Sequence, residues 1–154
     1  MGEKKTEKPT YELQEQLDKM RPEDLPKYFK DNKDDIRDQK KAFYYFMKDT
    51  LIDKGIFLKD VYTSAGMSES YGSKIINQEK HTKNRDHIIR LCVAGHFNLM
   101  ETNRALKLYG MNELYPKNSR DACIIVAINN RIFNLAKIDD SLAERGLEKL
   151  STEQ

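Results

Sequence analysis

The stretch that decides the fold runs from Leu58 to Asn77 and reads LKDVYTSAGMSESYGSKIIN. Its apolar residues predict a short helix over about 58–65, and Gly66 ends that helix because glycine tolerates the left-handed backbone of a helix C-terminus. Ser68 belongs to the residue types that cap helix N-termini, so it predicts a second helix over about 69–79. The stretch therefore predicts two short helices joined by a glycine turn.

Helical periodicity continues on both sides of this stretch. Apolar residues recur at intervals of three and four over about 38–54, as on one face of an amphipathic helix. Downstream, Asn84 is suited to cap a further helix, and Asn98 with Glu101 forms a capping box before a helix that runs to Tyr109. Glycine and proline are sparse, at 7 and 4 residues, so the chain is predicted to be all-α.

Both ends of the chain carry further helical patterns. Thr10 is expected to cap a short helix to about Met20, and Pro22 opens another. The segment 122–128, ACIIVAI, is apolar all round and fits a buried strand or a buried helix, with Ser119 as a possible cap favouring the helix. A last amphipathic helix follows. We therefore expect an N-terminal tail and helical arm over 1–34, a helical core over 35–116 and a C-terminal helix pair over 117–154.

Size and composition exclude several classes of protein. The 154 residues and 18.0 kDa fit one domain with appendages, and 38% hydrophobic residues suffice for one helical core. No window approaches the roughly 18 apolar residues of a membrane span, and nothing near Met1 resembles a signal peptide, so we expect a soluble cytoplasmic protein away from membranes. Cys92 and Cys123 each lie in an apolar run and are expected to be buried thiols.

The charges are unevenly distributed along the chain. The net charge is only +2, from 27 basic against 25 acidic residues, and by itself it predicts no polyanionic partner. However, the stretch 74–85 carries four basic residues against Glu79 alone, and 104–120 carries four against Glu113 alone. Such a cluster is either a solvated helix face or a set of phosphate contacts, and its structural setting must decide.

Catalytic and metal-binding patterns are weak. No serine or cysteine lies in a recognisable nucleophile turn, and no glycine-rich phosphate loop occurs, so we expect neither an enzyme nor a bound cofactor. Cys92 and His96 stand four apart, which is a spacing of metal ligands on a helix, but no second pair accompanies them. We therefore predict no metal site.

The short helices and the capped helices behind them follow helix-turn-helix order. The segments Lys59–Ser68, Ser73–Asn77 and Asp86–Leu91 resemble the Cro/repressor-type (Xre-like, lambda-repressor-like) helix-turn-helix family, over about Ile36 to Tyr109. The segment Leu106–Pro116 looks like the tail of a group of small helix-turn-helix proteins from Firmicute-type bacteria. The resemblance implies a five-helix lambda-repressor-like core in a bacterial, sequence-specific DNA-binding transcriptional regulator.

The resemblance also implies which residues meet the DNA. The helix around 68–78 would enter the major groove, where Asn77 is suited to adenine. Because one short helix reads few bases, a homodimer is expected, with 122–128 and the last helix as its interface. The residues expected to contact double-stranded DNA are Lys59, Ser68, Glu69, Ser70, Tyr71, Ser73, Lys74, Asn77, Lys80, His81, Lys83 and Arg85.

Several positions depart from the family pattern. Phe57 and Leu58 stand where a polar cap and a glutamine are usual, Gly72 replaces a branched apolar anchor, and Gln78 replaces a helix-ending glycine. Gly72 is expected to lower helix propensity and to remove core packing. Glu69 brings a negative charge to the leading edge of the predicted recognition helix. An alternative function is therefore a helix-turn-helix protein that binds a protein partner as an adaptor, without binding DNA.

Overall fold

All regular secondary structure in the described residues is helical, as the sequence predicts. The structure is a computed structural model that describes residues 8–33, 36 and 39–151. The α-helices of these residues are α1 (Thr10–Asp18), α2 (Leu25–Asp31), α3 (Ala42–Lys54), α4 (Leu58–Ser64), α5 (Glu69–Ile76), α6 (Arg85–Ala94), α7 (Leu99–Leu108), α8 (Ser119–Asn129) and α9 (Leu135–Glu144), with short 3-10 turns at Pro22–Asp24 and Gln39–Lys41. None of them is long and apolar enough to cross a membrane. The chain divides into two compact units, 1–39 and 40–154.

The first unit contains α1 and α2, and a buried asparagine holds its described part together. The Nδ2 of Asn32 donates to the Oε1 of Gln16 at 2.8 Å and to the carbonyl of Tyr28 at 2.9 Å, while its Oδ1 accepts from Lys8. Thr10 does not cap α1 as expected. It lies inside the helix, because Pro9 takes the extended cap conformation one residue earlier.

The second unit is built around α6. This helix packs against α4, α7 and α9, while α3 contacts α5 and α7, and α8 contacts α7 and α9. Ile88 to Ala94 are all buried in α6, and the same hydrophobic core extends to Ile124 in α8 and Leu142 in α9. The helices after residue 116 therefore share one core with α3 to α7.

The segment 122–128 lies in α8, which resolves the choice between helix and strand. Its cap is Asn118 and not Ser119, because the side chain of Asn118 accepts a hydrogen bond from the amide of Asp121. The helix is not buried all round, since Val126 faces solvent with 59% exposure. Cys123 is only partly buried, against expectation, because α8 turns one side away from the core.

The helix ends on either side of the glycine turn follow the local sequence signals. Gly66 is left-handed at φ +69°, and the Oγ of Ser68 accepts from the amide of Tyr71 at 3.1 Å. Asn84 caps α6 through the amide of Asp86, and Asn98 and Glu101 form the expected capping box of α7. Gly66 and Ser68 thus define where α4 ends and where α5 begins.

Candidate nucleic-acid interface

The inner face of α5 is fixed against the core through its apolar residues. Ile75 and Ile76 are fully buried. Gly72 is buried too, and it does not leave the packing defect that the sequence predicts. A Cβ built at Gly72 would overlap the ring of Tyr62, so the tyrosine of α4 already fills the space that a larger residue would take. Burial raises the pKa of Tyr62, although a hydrogen bond with Ser73 acts in the opposite direction.

The end of α5 is determined by Gln78. This residue adopts the left-handed conformation at φ +61°, a conformation that glycine takes more readily. Its side-chain Oε1 accepts from the amide of Tyr44 at 3.2 Å, and this contact with α3 helps to offset the backbone strain of a non-glycine residue there. As a result α5 ends at Ile76, three residues earlier than expected.

Some polar side chains of α5 are exposed to solvent, and others form hydrogen bonds with each other. Glu69, Ser70 and Lys74 are exposed. By contrast, Asn77 lies just after the last turn of α5, half-buried, and its Nδ2 donates to the Oγ of Ser73 at 3.1 Å. Ser73 and Asn77 therefore already share a hydrogen bond, and an adenine contact would have to use the remaining Oδ1 and second N–H of Asn77.

The loop after α5 is held in place by two aromatic contacts. The hydroxyl of Tyr71 lies 2.7 Å from the Nδ1 of His87, and the ammonium of Lys80 lies 5.3 Å from the centroid of the Tyr71 ring. His81 stacks on Tyr109 with ring centroids 4.6 Å apart, and the Tyr109 hydroxyl accepts from the amide of Thr82. The loop that carries Lys80 is thus ordered beside α5.

Four lysines form the exposed basic set of this region. Lys59 lies in the first turn of α4, Lys74 on α5, and Lys80 and Lys83 in the loop that follows. All four are exposed, and none forms an ion pair with another described residue. Their charges are therefore available to an external anion. We call them the free lysines.

Arg85, which the sequence predicts to contact a DNA phosphate, is not one of these available cations, because its guanidinium is bonded inside the protein. Its Nη1 and Nη2 donate to the two carboxylate oxygens of Asp121 at 3.0 and 2.8 Å, and the same guanidinium donates to the carbonyls of Asn112 and Glu113. These contacts use four of the five guanidinium N–H groups inside the protein, which leaves little for a DNA phosphate.

A second arginine completes a reciprocal pair of bridges between α6 and α8. Arg120 on α8 donates through both terminal nitrogens to the carboxylate of Asp86 on α6, at 2.8 Å each. We call these two bidentate pairs, Arg85 with Asp121 and Arg120 with Asp86, the α6–α8 clasp. Sequence reasoning missed it, although the repeated Arg-Asp dipeptides at 85–86 and 120–121 were visible as a signal.

The clasp shifts the pKa of two of its members, Asp121 and Arg120. Burial of Asp121 acts to raise its pKa, but the hydrogen bonds from Arg85 and from the Tyr115 amide, with the nearby positive charges, bring that pKa below its usual value. The hydrogen bonds from Arg120 to Asp86 raise the pKa of the guanidinium, which burial opposes. Asp121 and Arg120 are therefore both ionised at neutral pH.

Cys92 and His96, whose spacing resembles that of metal ligands, lie in different environments. Cys92 is fully buried, and its burial raises the pKa of the thiol. His96 is exposed and stacks on Phe133 with centroids 4.8 Å apart. Among the described residues no group of three or more His, Cys, Asp or Glu side chains is arranged to hold a metal ion.

Comparison of the chain with models of protein families, with curated proteins and with solved structures finds no match.

Proposed function

We propose that the protein is a bacterial, sequence-specific DNA-binding regulator of transcription that reads the major groove with α5. One observation carries the proposal. α5 is locked to the core through Ile75, Ile76 and the Gly72–Tyr62 contact, while its outer face is exposed and the free lysines lie on α4, on α5 and in the loop after it. A rigid, exposed helix with cations on the neighbouring elements is the arrangement that a helix-turn-helix protein uses in the major groove.

The proposed role of each side chain follows from its exposure and from the hydrogen-bonding groups or charge that it can offer to DNA. Ser70 and Lys74 are exposed on α5 and would face base edges, Lys74 being able to donate to guanine. Glu69 would accept from a cytosine amino group. Lys59, Lys80 and Lys83 would neutralise phosphates on either side of the groove.

A homodimer is part of the proposal, because one short recognition helix specifies few base pairs. Two copies would read half-sites about 34 Å apart on the DNA. The surface of α8 and α9 supports this, since Val126 and Ile132 are exposed apolar residues beside a cavity of about 290 Å³ between the two helices. Burial of that apolar surface would favour association of two copies.

The test is selection from a pool of random duplex DNA, followed by sequencing of the retained fraction. We expect the wild-type protein to enrich an inverted repeat, and a Lys74→Glu, Asn77→Ala variant to lose that enrichment. Lys149→Glu is the matched control, because it makes the same change of charge at an exposed residue outside α4, α5 and their loops. Enrichment that persists in the double variant would contradict the assignment of α5 to the groove.

Salt dependence gives an independent readout of the same interface. With three lysines per subunit in contact with phosphates (Lys59, Lys80 and Lys83), a dimer should show a slope of log affinity against log salt of about −5. The Lys149→Glu control should keep that slope. A slope near zero would contradict the proposed phosphate contacts.

The adaptor is the second candidate, and the exposure of Phe57 favours it. Phe57 precedes α4 as its cap residue, is 75% exposed and provides no side-chain cap. A large exposed aromatic side chain is better suited to a protein partner than to a phosphate. If folded wild-type protein enriches no DNA sequence and Phe57→Ser abolishes capture of a protein partner, the adaptor replaces the DNA-binding proposal.

A further inference from the structure

A polar cavity lies at the turn between α4 and α5. It has a volume of about 280 Å³ and is lined by Gly66, Met67, Ser68, Tyr71, His87 and Arg90. No carboxylate belongs to this lining, and Arg90 is its permanently charged member. The cavity is therefore an electropositive recess next to the proposed recognition helix.

Arg90 is a buried cation that is not paired with a carboxylate in the described part of the chain. It is only 4% exposed, although arginine is rarely buried without an ionic partner. Its Nε donates to the carbonyl of Ala65 at 2.9 Å and its Nη2 to the carbonyl of Gly66 at 3.0 Å. These carbonyls lie at the C-terminal end of α4, where a cation is favourable.

The two carbonyls use only one edge of the guanidinium. Nε and Nη2 form the edge that faces the α4 carbonyls, while Nη1 has no hydrogen-bond partner among residues 8–33, 36 and 39–151. The end of the guanidinium formed by Nη1 and the second hydrogen of Nη2 is thus left for an additional acceptor. A planar fork of this kind matches two oxygens of a phosphate.

The start of α5 lies at this recess, because its cap residue Ser68 lines the cavity. Ser68, which lines the cavity, accepts from the Tyr71 amide, and its own hydroxyl hydrogen is left to donate. The amides of Glu69 and Ser70 are in the first turn of α5, where no acceptor within the helix exists for them. The helix dipole favours an anion at this position as well.

We propose that this cavity binds a single phosphate group, held by Arg90, the Ser68 hydroxyl and the first amides of α5. The source of the phosphate rests on the proposed function: in a DNA complex it would be a backbone phosphate at the edge of the major groove. The cavity itself does not depend on that function, because its donors are assembled in the free protein. Neither Arg90 nor the cavity was among the expected DNA contacts.

The experiment uses the full chain and inorganic phosphate as the probe, followed by amide NMR at constant ionic strength with chloride exchanged for phosphate. Wild-type protein should show saturable shifts at residues 66–71, with affinity in the millimolar range. Ser68→Asp should lower the phosphate affinity by about tenfold or more, because a carboxylate then occupies the recess. Aspartate caps a helix as well as serine does, so α5 should stay folded.

Two matched variants distinguish the effect of a negative charge in the cavity from an effect on folding. Ser68→Asn keeps a good cap without a charge and should retain phosphate binding. Ser119→Asp places the same charge at an exposed residue of α8 outside the cavity lining and should affect phosphate binding much less than Ser68→Asp does. The proposal is overturned if phosphate gives no saturable shifts in wild-type protein, or if Ser68→Asp and Ser68→Asn bind phosphate equally.

DNA binding in the same buffers identifies the source of the phosphate. If exchange of chloride for phosphate weakens DNA binding of wild-type protein but not of Ser68→Asp, a DNA phosphate occupies the cavity. If the exchange has no effect on DNA binding, the cavity takes a free phosphate group. If wild-type protein binds phosphate but no DNA, the DNA-binding proposal fails while the phosphate site stands.

Discussion

The α6–α8 clasp and the region of α4, α5 and the following loop both carry basic residues, but the clasp pairs its arginines internally while the lysines of the other region have no ion-pair partner among the described residues. Arg85 and Arg120 each donate two hydrogen bonds to an aspartate of the opposite helix. Lys74 and Lys80 are exposed and have no carboxylate partner among the described residues. A basic residue near the proposed recognition helix is therefore no evidence of a DNA contact until its partners are known.

The difference has a physical origin in the side chains and in their burial. Arginine presents a planar fork that matches a carboxylate, and Asp121 is only 4% exposed, so water screens this bridge poorly. Lysine carries a compact, strongly hydrated charge on a flexible chain, which suits exposed contacts with phosphates. The clasp joins α6 to α8, whereas the free lysines remain exposed.

The largest expected effect comes from removal of one carboxylate of the clasp. Asp121→Ala leaves the Arg85 guanidinium without its ionic partner and the Tyr115 amide without its acceptor. We expect the free energy of unfolding to fall by about 2 kcal/mol, since loss of the buried carboxylate leaves the partly buried guanidinium without a counter-charge. Chemical denaturation measures it. A loss below about 0.5 kcal/mol would show that the clasp is dispensable.

The next largest effect is expected at Lys74, on the exposed side of α5. Lys74→Glu should lower DNA affinity by about tenfold, or about 1.4 kcal/mol, because it replaces an attractive phosphate or base contact by a repulsive one. Its unfolding free energy should stay within about 0.5 kcal/mol of wild type, as for exposed residues in general. Fluorescence anisotropy with the selected duplex measures the affinity, with Lys149→Glu as the control. Equal losses of DNA affinity in Lys74→Glu and Lys149→Glu would show that Lys74 makes no specific contact with DNA.

A conservative change sharpens the comparison further. Arg85→Lys keeps the positive charge but loses the fork and its contacts with the carbonyls of Asn112 and Glu113. We expect a loss of about 1 kcal/mol in unfolding free energy with unchanged DNA affinity, because arginine and lysine are not equivalent in a bidentate bridge. Chemical denaturation measures the unfolding free energy, and fluorescence anisotropy on the same preparation measures the DNA affinity. Weaker DNA binding in well-folded Arg85→Lys would return Arg85 to the interface.

The mildest test is acidification. Because the pKa of Asp121 is lower in the folded protein than in an unfolded chain, the contribution of its bridge is complete above the ordinary aspartate pKa of about 3.9. It is lost as the pH falls through the lower, folded-state pKa. Unfolding free energy measured from pH 6 downward should therefore decline more steeply for wild type than for Asp121→Asn. Parallel curves would mean that the bridge does not lower this pKa.

Local signals predicted much of the framework around the candidate site. Gly66 ends α4 in the left-handed conformation and Ser68 caps α5, because a glycine without a Cβ and a short hydroxyl side chain act on their own neighbours in the chain. The prediction failed for the length of α5, which depends on the contact between Gln78 and Tyr44, 34 residues apart. Helix propensity depends on neighbouring residues and therefore cannot predict a contact between residues so far apart in the sequence.

The composition and spacing of the sequence alone determined that the described chain is helical, where most of its helices begin and end, and that two short helices meet at Gly66. These features depend on backbone conformation and on hydrogen bonds between residues a few positions apart. Only the tertiary structure decided that Arg85 belongs to a bridge, that Tyr62 fills the space beside Gly72, and that Arg90 lines a cavity. Each of these depends on distant parts of the chain packing together, and burial and partner choice exist only once that packing is formed.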